Sequence, residues 1–136
     1  MSADRDFIDT NILAYAFSLD EPQKMNVAMG VLNSGTVMIS RQVLREYVNI
    51  AFKKMKMQPS EIIKRVNEIT CALEVADETD ELLKNAIRLK EKYGYSYYDS
   101  LIIASALTAN CKYLYSEDMR HGQTIEGKLT IVNPFL

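Results

Sequence analysis

The chain has 136 residues, of which 48% are hydrophobic and 25% charged, a composition that suits one folded domain and excludes a disordered or low-complexity segment. Its apolar stretches are too short to cross a bilayer and its charged first residues do not resemble a signal peptide, so we expect a cytoplasmic protein without membrane contact. The net charge of −2 and the single histidine exclude a strongly basic nucleic-acid binder and a zinc site built from several histidines.

The first half of the chain alternates predicted strands and helices. Residues 5–9 form a predicted short strand, and a helix follows over residues 11–17. Pro22, a favourable first-turn residue, begins a second helix that ends near Gly35. A strand at residues 36–39 leads to a third helix, which Ser40 can cap and which ends near residue 57. The apolar positions of this helix recur every three or four residues, as packing on a core requires.

The second half continues the alternation. A helix over residues 59–72 and a strand over 73–76 precede a helix that we expect Asp77 to cap and Gly94 to end. Residues 97–109 are apolar on nearly every side, which predicts a buried helix, and strands follow at 113–116 and 129–132. The whole pattern predicts an α/β fold: a single domain over residues 1–136 with a short, mostly parallel central sheet of about five strands flanked by helices. Cys71 and Cys111 have apolar neighbours and are predicted to be buried thiols rather than a disulfide.

Four acidic residues are predicted to lie at the carboxyl edge of this sheet, where parallel α/β sheets bind ligands. Asp9 ends the first strand, Asp118 follows the fourth, and Glu46 lies in the second turn of the helix after the second strand. Asp99 lies in the first turn of the buried helix before the fourth strand, whose N-terminus returns to the same edge and whose dipole favours a negative charge. How the preceding helix brings the chain back to that edge does not follow from the sequence.

Several converging carboxylates with apolar neighbours need a partner. A buried carboxylate is costly by itself, and a group of them repels unless a cation lies between them. Oxygen ligands suit hard divalent cations, so we expect Mg²⁺ or Mn²⁺ as the cofactor. Each residue also has a simpler interpretation: a helix cap for Asp9, a surface ion pair for Glu46, a first-turn acid for Asp99 and a turn residue for Asp118.

Four segments resemble the acidic motifs of the PIN-domain family. Residues 7–13, Phe-Ile-Asp-Thr-Asn-Ile-Leu, resemble its opening motif, and Arg45-Glu46 lies in a helix that matches the second. Residues 97–104, Tyr-Tyr-Asp-Ser-Leu-Ile-Ile-Ala, resemble the third motif, and residues 114–118, Leu-Tyr-Ser-Glu-Asp, the fourth. The four motifs span nearly the whole chain, and its length resembles that of VapC-type toxins of bacterial toxin–antitoxin pairs.

This resemblance implies an endoribonuclease that depends on Mg²⁺ or Mn²⁺ and hydrolyses RNA phosphodiester bonds. Such proteins are often homodimers, and those of the toxin branch are inhibited by a cognate antitoxin. The resemblance carries over Asp9, Glu46, Asp99 and Asp118 as catalytic residues that bind the metal directly or through its water molecules.

The resemblance also assigns supporting roles. Asn11 and Ser116 match positions that support the site by hydrogen bonding, with Ser116 standing where threonine is commoner. Glu117 competes with its neighbour Asp118 for the last ligand position. The candidates to contact RNA phosphates, through charge alone, are Lys53, Lys54 and Lys56.

Two alternatives remain open. A catalytically inactive PIN-like module would bind RNA or a protein without cutting. A Mg²⁺-dependent phosphatase of small molecules would carry an Asp-x-Asp arrangement after the first strand, whereas this chain has Asp9-Thr10-Asn11. The sequence does not identify the RNA target, the number of metal ions, the oligomeric state or an antitoxin gene.

Overall fold

The computed structural model describes residues 4–136 and divides them into six strands and six helices. The strands are β1 (Arg5–Ile8), β2 (Thr36–Ser40), β3 (Glu74–Ala76), β4 (Tyr113–Tyr115), β5 (Thr124–Ile125) and β6 (Leu129–Val132). The helices are α1 (Thr10–Ala16), α2 (Pro22–Leu32), α3 (Arg41–Lys53), α4 (Pro59–Ala72), α5 (Asp80–Tyr93) and α6 (Tyr97–Thr108). No helix within residues 4–136 has the length and apolar character that crossing a membrane requires.

The strands form one sheet in the order β3-β2-β1-β4-β6-β5. Every neighbouring pair is parallel except β5 and β6. The chain adds β2 and β3 on one side of β1 and then β4 and β6 on the other, so the strand order reverses at β1. In an open α/β sheet, the carboxyl ends of the strands at such a reversal border the crevice where ligands bind. The predicted α/β fold with a mostly parallel sheet is confirmed, with β5 as a sixth strand.

The core lies on both faces of β1 and around α6. Phe7 and Ile8 in β1 have no exposed surface, because parallel strands in the middle of a sheet are covered by helices on both sides. In α6, every residue from Ser100 to Ala106 is buried, since the helix packs against α5 and β4. The prediction of a buried helix here is confirmed.

A short connection places the start of α6 at the functional edge. Gly94 ends α5 with a φ of 82°, a left-handed conformation that glycine adopts without strain. Ser96 then caps α6, so only residues 94–96 separate two closely packed helices. A connection this short reverses the chain direction, as in other helical hairpins. The return of the chain, which the sequence left unexplained, is therefore made by the hairpin of α5 and α6.

Two local predictions are wrong. Thr79, rather than Asp77, caps α5, because its hydroxyl accepts a hydrogen bond from the backbone N–H of Leu82 at 3.1 Å. The Asp77 carboxylate instead pairs with Arg41 at 3.3 Å. Cys71 is exposed rather than buried, because it lies on the face of α4 away from the buried residues Ile62 and Ile69; Cys111 is buried as predicted.

Candidate active site

Asp9 lies at the carboxyl end of β1, where it is also the N-cap of α1. It is 7% exposed, and its two carboxylate oxygens accept hydrogen bonds from the backbone N–H of Thr10 at 2.7 Å and from the Ser116 hydroxyl at 2.9 Å. Burial raises the pKa of Asp9 to about 6; the charges of Asp99 and Glu46 add to the rise, and the two hydrogen bonds oppose it. Asp9 is thus both a helix cap and a buried acid with other acids nearby.

Glu46 reaches the same place from α3. Ser40 ends β2 and caps α3, accepting a hydrogen bond from the backbone N–H of Val43 at 3.2 Å, so α3 begins at the carboxyl edge of the sheet. The Oε1 atom of Glu46 accepts a hydrogen bond from the Thr10 hydroxyl at 2.7 Å. Because Thr10 is buried and follows Asp9 directly, this bond fixes Glu46 beside Asp9.

Asp99 enters from the first turn of α6. The Ser96 hydroxyl caps the helix by accepting a hydrogen bond from the backbone N–H of Asp99 at 3.1 Å. Burial raises the pKa of Asp99, and the negative charges of Asp118 and Glu46 raise it further. Asp99 is a first-turn acid, as its simpler interpretation held, but it also faces other carboxylates closely enough for their repulsion to matter.

The loop after β4 turns Asp118 and Glu117 in different directions. The side-chain amide of Asn11 donates a hydrogen bond to Oδ2 of Asp118 at 2.7 Å. Glu117 instead accepts hydrogen bonds from Lys24 and, at 2.7 Å, from the Tyr15 hydroxyl. Only Asp118 of these two acids lines the cleft that Asp9 and the other carboxylates share.

The four carboxylates surround an open cleft of about 430 Å³. Within residues 4–136, none of the four forms an ion pair. The one basic residue in the wall, Arg45, is neutralised by Glu78 at 2.9 Å. The cleft therefore carries an excess of negative charge that its own walls do not offset. Its lining residues are Asp9, Thr10, Asn11, Arg45, Glu46, Asn49, Ile50, Asp99, Ile102 and Asp118.

The donor set fits a hard divalent cation that keeps part of its water. In the described part of the chain, no group of three or more acidic, histidine or cysteine side chains is arranged to hold a metal ion by itself. Mg²⁺ does not need such a group, since it is commonly held by one or two carboxylates together with water and substrate phosphate. An open cleft lined by four carboxylates meets that requirement.

The structure separates the three lysines that the sequence analysis grouped. Lys54 lines a second cavity of about 300 Å³, which shares Asn11 and Ile50 with the carboxylate cleft. Lys53 and Lys56 line neither the cleft nor this cavity. Lys53 is the last residue of α3 and Lys54 its C-cap, so their side chains leave the helix in different directions, and Lys56 lies beyond the helix end.

Sequence reasoning missed two polar residues of the cleft, Asn49 and Thr10. Asn49 lies three residues after Glu46 in α3, a spacing that places both side chains on one helix face and that could have revealed it. Thr10 lies within the first motif, but its bond to Glu46 joins residues 36 positions apart. No local pattern indicates such a contact.

Comparisons with known proteins agree with this architecture. A toxin–antitoxin complex from Klebsiella pneumoniae contains a chain that superimposes with a TM-score of 0.72 and 19% identity, covering 95% of this chain and 97% of the other. The toxin VapC20 of Mycobacterium tuberculosis, which cleaves the sarcin-ricin loop, superimposes with a TM-score of 0.66 and 18% identity. The match covers 80% of this chain and 86% of VapC20. A chain of VapBC2 from Rickettsia felis, bound to a DNA fragment from its promoter, superimposes with a TM-score of 0.63 and 21% identity. The match covers 95% of this chain and 99% of the other. At these identities the similarities show a shared fold.

A search of curated proteins finds no significant relative of this chain. The model of the PIN domain family, in contrast, matches residues 7–125, a range that includes all four carboxylates of the cleft. The chain therefore belongs to the PIN domain family.

Proposed function

We propose that this protein is an endoribonuclease that uses Mg²⁺ or Mn²⁺ to hydrolyse RNA phosphodiester bonds. One observation carries the proposal: four carboxylates from four separate segments, Asp9, Glu46, Asp99 and Asp118, line one open cleft without a cationic partner in the described residues. That arrangement is costly unless a cation joins it. Membership of the PIN domain family and the structural neighbour VapC20, a toxin that cleaves the sarcin-ricin loop, support the same reaction class.

The surrounding hydrogen bonds leave carboxylate oxygens available. Thr10 donates to Oε1 of Glu46 and Asn11 donates to Oδ2 of Asp118, so one oxygen of each carboxylate keeps no protein partner within residues 4–136. The Ser96 side chain is a hydrogen-bond partner of Asp99 and opposes the rise in its pKa. A bound divalent cation would supply charge neutralisation at the scissile phosphate and would make a water molecule more acidic. On this proposal the free oxygens would hold that cation and accept the proton of the attacking water.

We also propose a cognate antitoxin and a homodimeric state. Several of the solved neighbours, among them the Klebsiella pneumoniae complex and VapBC2 of Rickettsia felis, are toxin–antitoxin complexes, which supports a protein partner of this kind. Phe52 and Ile63 are 49% and 64% exposed and flank a shallow apolar cavity between α3 and α4, the type of surface that proteins use for association. Copurification with the product of an adjacent small gene tests the antitoxin, and light scattering of the purified chain tests the dimer.

Metal binding gives the first test of the catalytic proposal. We would titrate Mn²⁺ into metal-free protein by calorimetry and record thermal unfolding with and without chelator. Wild-type protein should bind Mn²⁺, with a gain in unfolding free energy of about 2.7 kcal/mol when free metal is 100 times the Kd. Asp99→Asn should lose most of this binding yet unfold at a higher temperature in chelator, because carboxylate repulsion is relieved.

The matched control is Asp77→Asn, which removes an exposed carboxylate that does not line the cleft and whose ion pair with Arg41 is worth little. It should bind Mn²⁺ as wild type does. Cleavage of a mixed RNA pool by wild type in Mn²⁺, and loss of this cleavage in Asp99→Asn, would support the proposed ribonuclease activity. A wild type that binds the metal but cuts no RNA would favour the binding-module alternative, and absence of any metal-dependent stabilisation would overturn the metal site itself.

A further inference from the structure

Asp99 and Asp118 reach the cleft from two segments that are distant in the sequence. Asp99 belongs to the first turn of α6, and Asp118 to the loop of residues 116–123 between β4 and β5. The charge of Asp118 raises the pKa of Asp99, so the two carboxylates are close enough to repel each other. Without a cation between them, this repulsion acts to move the loop away from the start of α6, and another contact has to oppose it.

Tyr95 joins these two segments. It lies in the connection of residues 94–96 between α5 and α6, four residues before Asp99. Its hydroxyl accepts a hydrogen bond from the backbone N–H of Arg120 at 3.1 Å and donates one to the side-chain oxygen of Gln123. Among the hydrogen bonds of residues 4–136, these two connect the loop to the start of α6 and the residues before it.

The contacts on the other side of Asp118 lead to different parts of the fold. The Ser116 hydroxyl donates a hydrogen bond to Asp9, and the Asn11 amide donates one to Asp118 itself. These bonds hold the first half of the loop near β1 and α1. The distance from Asp118 to α6 therefore depends on the second half of the loop, where Tyr95 binds.

Tyr93 makes the same pair of hydrogen bonds at another place. Its hydroxyl accepts one from the backbone N–H of Glu126 at 2.9 Å and donates one to the Glu126 carboxylate at 2.8 Å. Glu126 directly follows β5 and has a left-handed φ of 53°, so Tyr93 holds the turn between β5 and β6. Tyr95 thus binds the chain two residues after Asp118, and Tyr93 binds it eight residues after Asp118.

We propose that Tyr95 is a positioning residue that holds Asp118 beside Asp99 in the absence of metal, against the repulsion of their charges. This inference rests on the proposed metal-dependent function and adds a residue that keeps the site assembled. A cleft whose acids are already held together binds a cation without first ordering the loop. A cleft with a loose loop must order it on binding, which lowers the affinity.

The first test compares Mn²⁺ affinity with stability in two matched variants. Tyr95→Phe and Tyr93→Phe each remove one hydroxyl and its two hydrogen bonds, so both should lower the unfolding temperature slightly and to a similar extent. Because groups that orient metal ligands affect metal affinity, Tyr95→Phe should bind Mn²⁺ about tenfold more weakly than wild type, whereas Tyr93→Phe should not differ from it. Equal affinity in Tyr95→Phe and wild type, or an equal loss in Tyr93→Phe, would overturn the proposal.

The second test uses neither metal nor RNA. Asp118→Asn should raise the unfolding temperature in chelator, because it removes the repulsion with Asp99. In a double-mutant cycle this rise should be smaller when Tyr95→Phe is present, because the released loop has already moved away from α6. The rise should keep its full size when Tyr93→Phe is present. A rise of the same size in all three backgrounds would overturn the role of Tyr95 whether or not wild type binds Mn²⁺, and failure of the metal site itself would be seen separately, as absence of Mn²⁺ binding by wild type.

Discussion

The side-chain amide of Gln42 donates a hydrogen bond to the backbone carbonyl of Tyr98 at 3.3 Å and thereby joins α3 to α6. Gln42 lies one turn before Glu46 in α3, and Tyr98 directly precedes Asp99. The two helices pack mainly on other elements, α3 on α1 and α4 and α6 on α5, so this part-buried bond joins helices that otherwise pack little on each other. It therefore links the backbones that carry two of the four carboxylates.

Replacing Gln42 should weaken metal binding more than it weakens the fold. Gln42→Leu fills a similar volume, and the Tyr98 carbonyl can still accept the helical hydrogen bond of α6, so unfolding free energy should change by about 1 kcal/mol at most. Without this bond, the distance between the Glu46 and Asp99 carboxylates can vary more. Loss of hydrogen bonds that orient metal-binding residues typically lowers metal affinity by about tenfold or more. Calorimetric Mn²⁺ titration and urea unfolding measure the two effects separately.

Gln23→Leu is the control for Gln42→Leu, since it makes the same chemical change at an exposed position of α2. It should alter neither the Mn²⁺ affinity nor the free energy of unfolding. Equal Mn²⁺ affinity in Gln42→Leu and wild type would show that the packing of the helices alone fixes the carboxylate separation.

The site residues that the sequence predicted are those with local signals. Asp9 follows a short apolar strand, and Asp99 follows the helix cap Ser96 by three residues, so the positions of both relative to the sheet edge could be inferred from neighbours in the chain. The α/β class could also be inferred from neighbours in the chain, because it depends on the alternation of short strands and helices. The two-residue strand β5 had no such signal, since it exists only through its pairing with β6.

The contacts that orient the carboxylates could not be inferred in this way. The bond from Gln42 to Tyr98 joins residues 56 positions apart, and the one from Lys24 to Glu117 joins residues 93 positions apart. Neither helical period nor strand alternation relates such residues. The choice between Glu117 and Asp118 is of this type, because it depends on which partner a distant helix offers.

Ser116 should contribute to metal affinity through Asp9. Its buried hydroxyl donates to Oδ2 of Asp9 and accepts a hydrogen bond from the backbone N–H of Met119 at 3.3 Å. Ser116→Ala removes the donor, which raises the pKa of Asp9 further and should weaken Mn²⁺ binding near neutral pH by about tenfold. Ser116→Thr keeps the hydroxyl and should retain most of the affinity in the same titration. Failure of threonine to rescue, with both variants folded, would indicate that Ser116 matters for packing and not as a donor.

The raised pKa of Asp9 predicts an unusual dependence of stability on pH. Because the pKa of about 6 in the folded state lies above the ordinary value, the folded state keeps this proton over a range where the unfolded state has lost it. In metal-free protein the free energy of unfolding should therefore fall as pH rises from about 4 to 6, by up to about 3 kcal/mol, and then level off. Asp9→Asn is isosteric and cannot lose a proton, so its difference from wild type in urea unfolding should grow with pH. If the difference in unfolding free energy between Asp9→Asn and wild type stays constant from pH 4.5 to 7.5, Asp9 is not the origin of the pH dependence.

Mutations of Glu117 and Asp118 should have different effects on stability and on Mn²⁺ affinity. Glu117 is bound to Lys24 and Tyr15, away from the cleft, and the hydrogen bonds from these two groups lower its pKa. Glu117→Gln weakens a charge-assisted contact between α2 and the loop after β4, which should cost about 1 kcal/mol of stability and leave Mn²⁺ affinity nearly unchanged. Asp118→Asn keeps a side chain of the same shape beside Asn11 but removes the charge that faces Asp99, so it should reduce Mn²⁺ affinity strongly.

Comparing these two variants under one set of conditions decides which acid serves the site, because each change removes one negative charge from adjacent positions. Wild type and both variants would be titrated with Mn²⁺ and unfolded in urea with chelator present. A long-range effect of net charge would lower the metal affinity of both variants equally, whereas a ligand role for Asp118 lowers only its own. Loss of Mn²⁺ binding in Glu117→Gln with retention in Asp118→Asn would instead require the loop to rearrange when the metal binds, breaking the bond between Glu117 and Lys24.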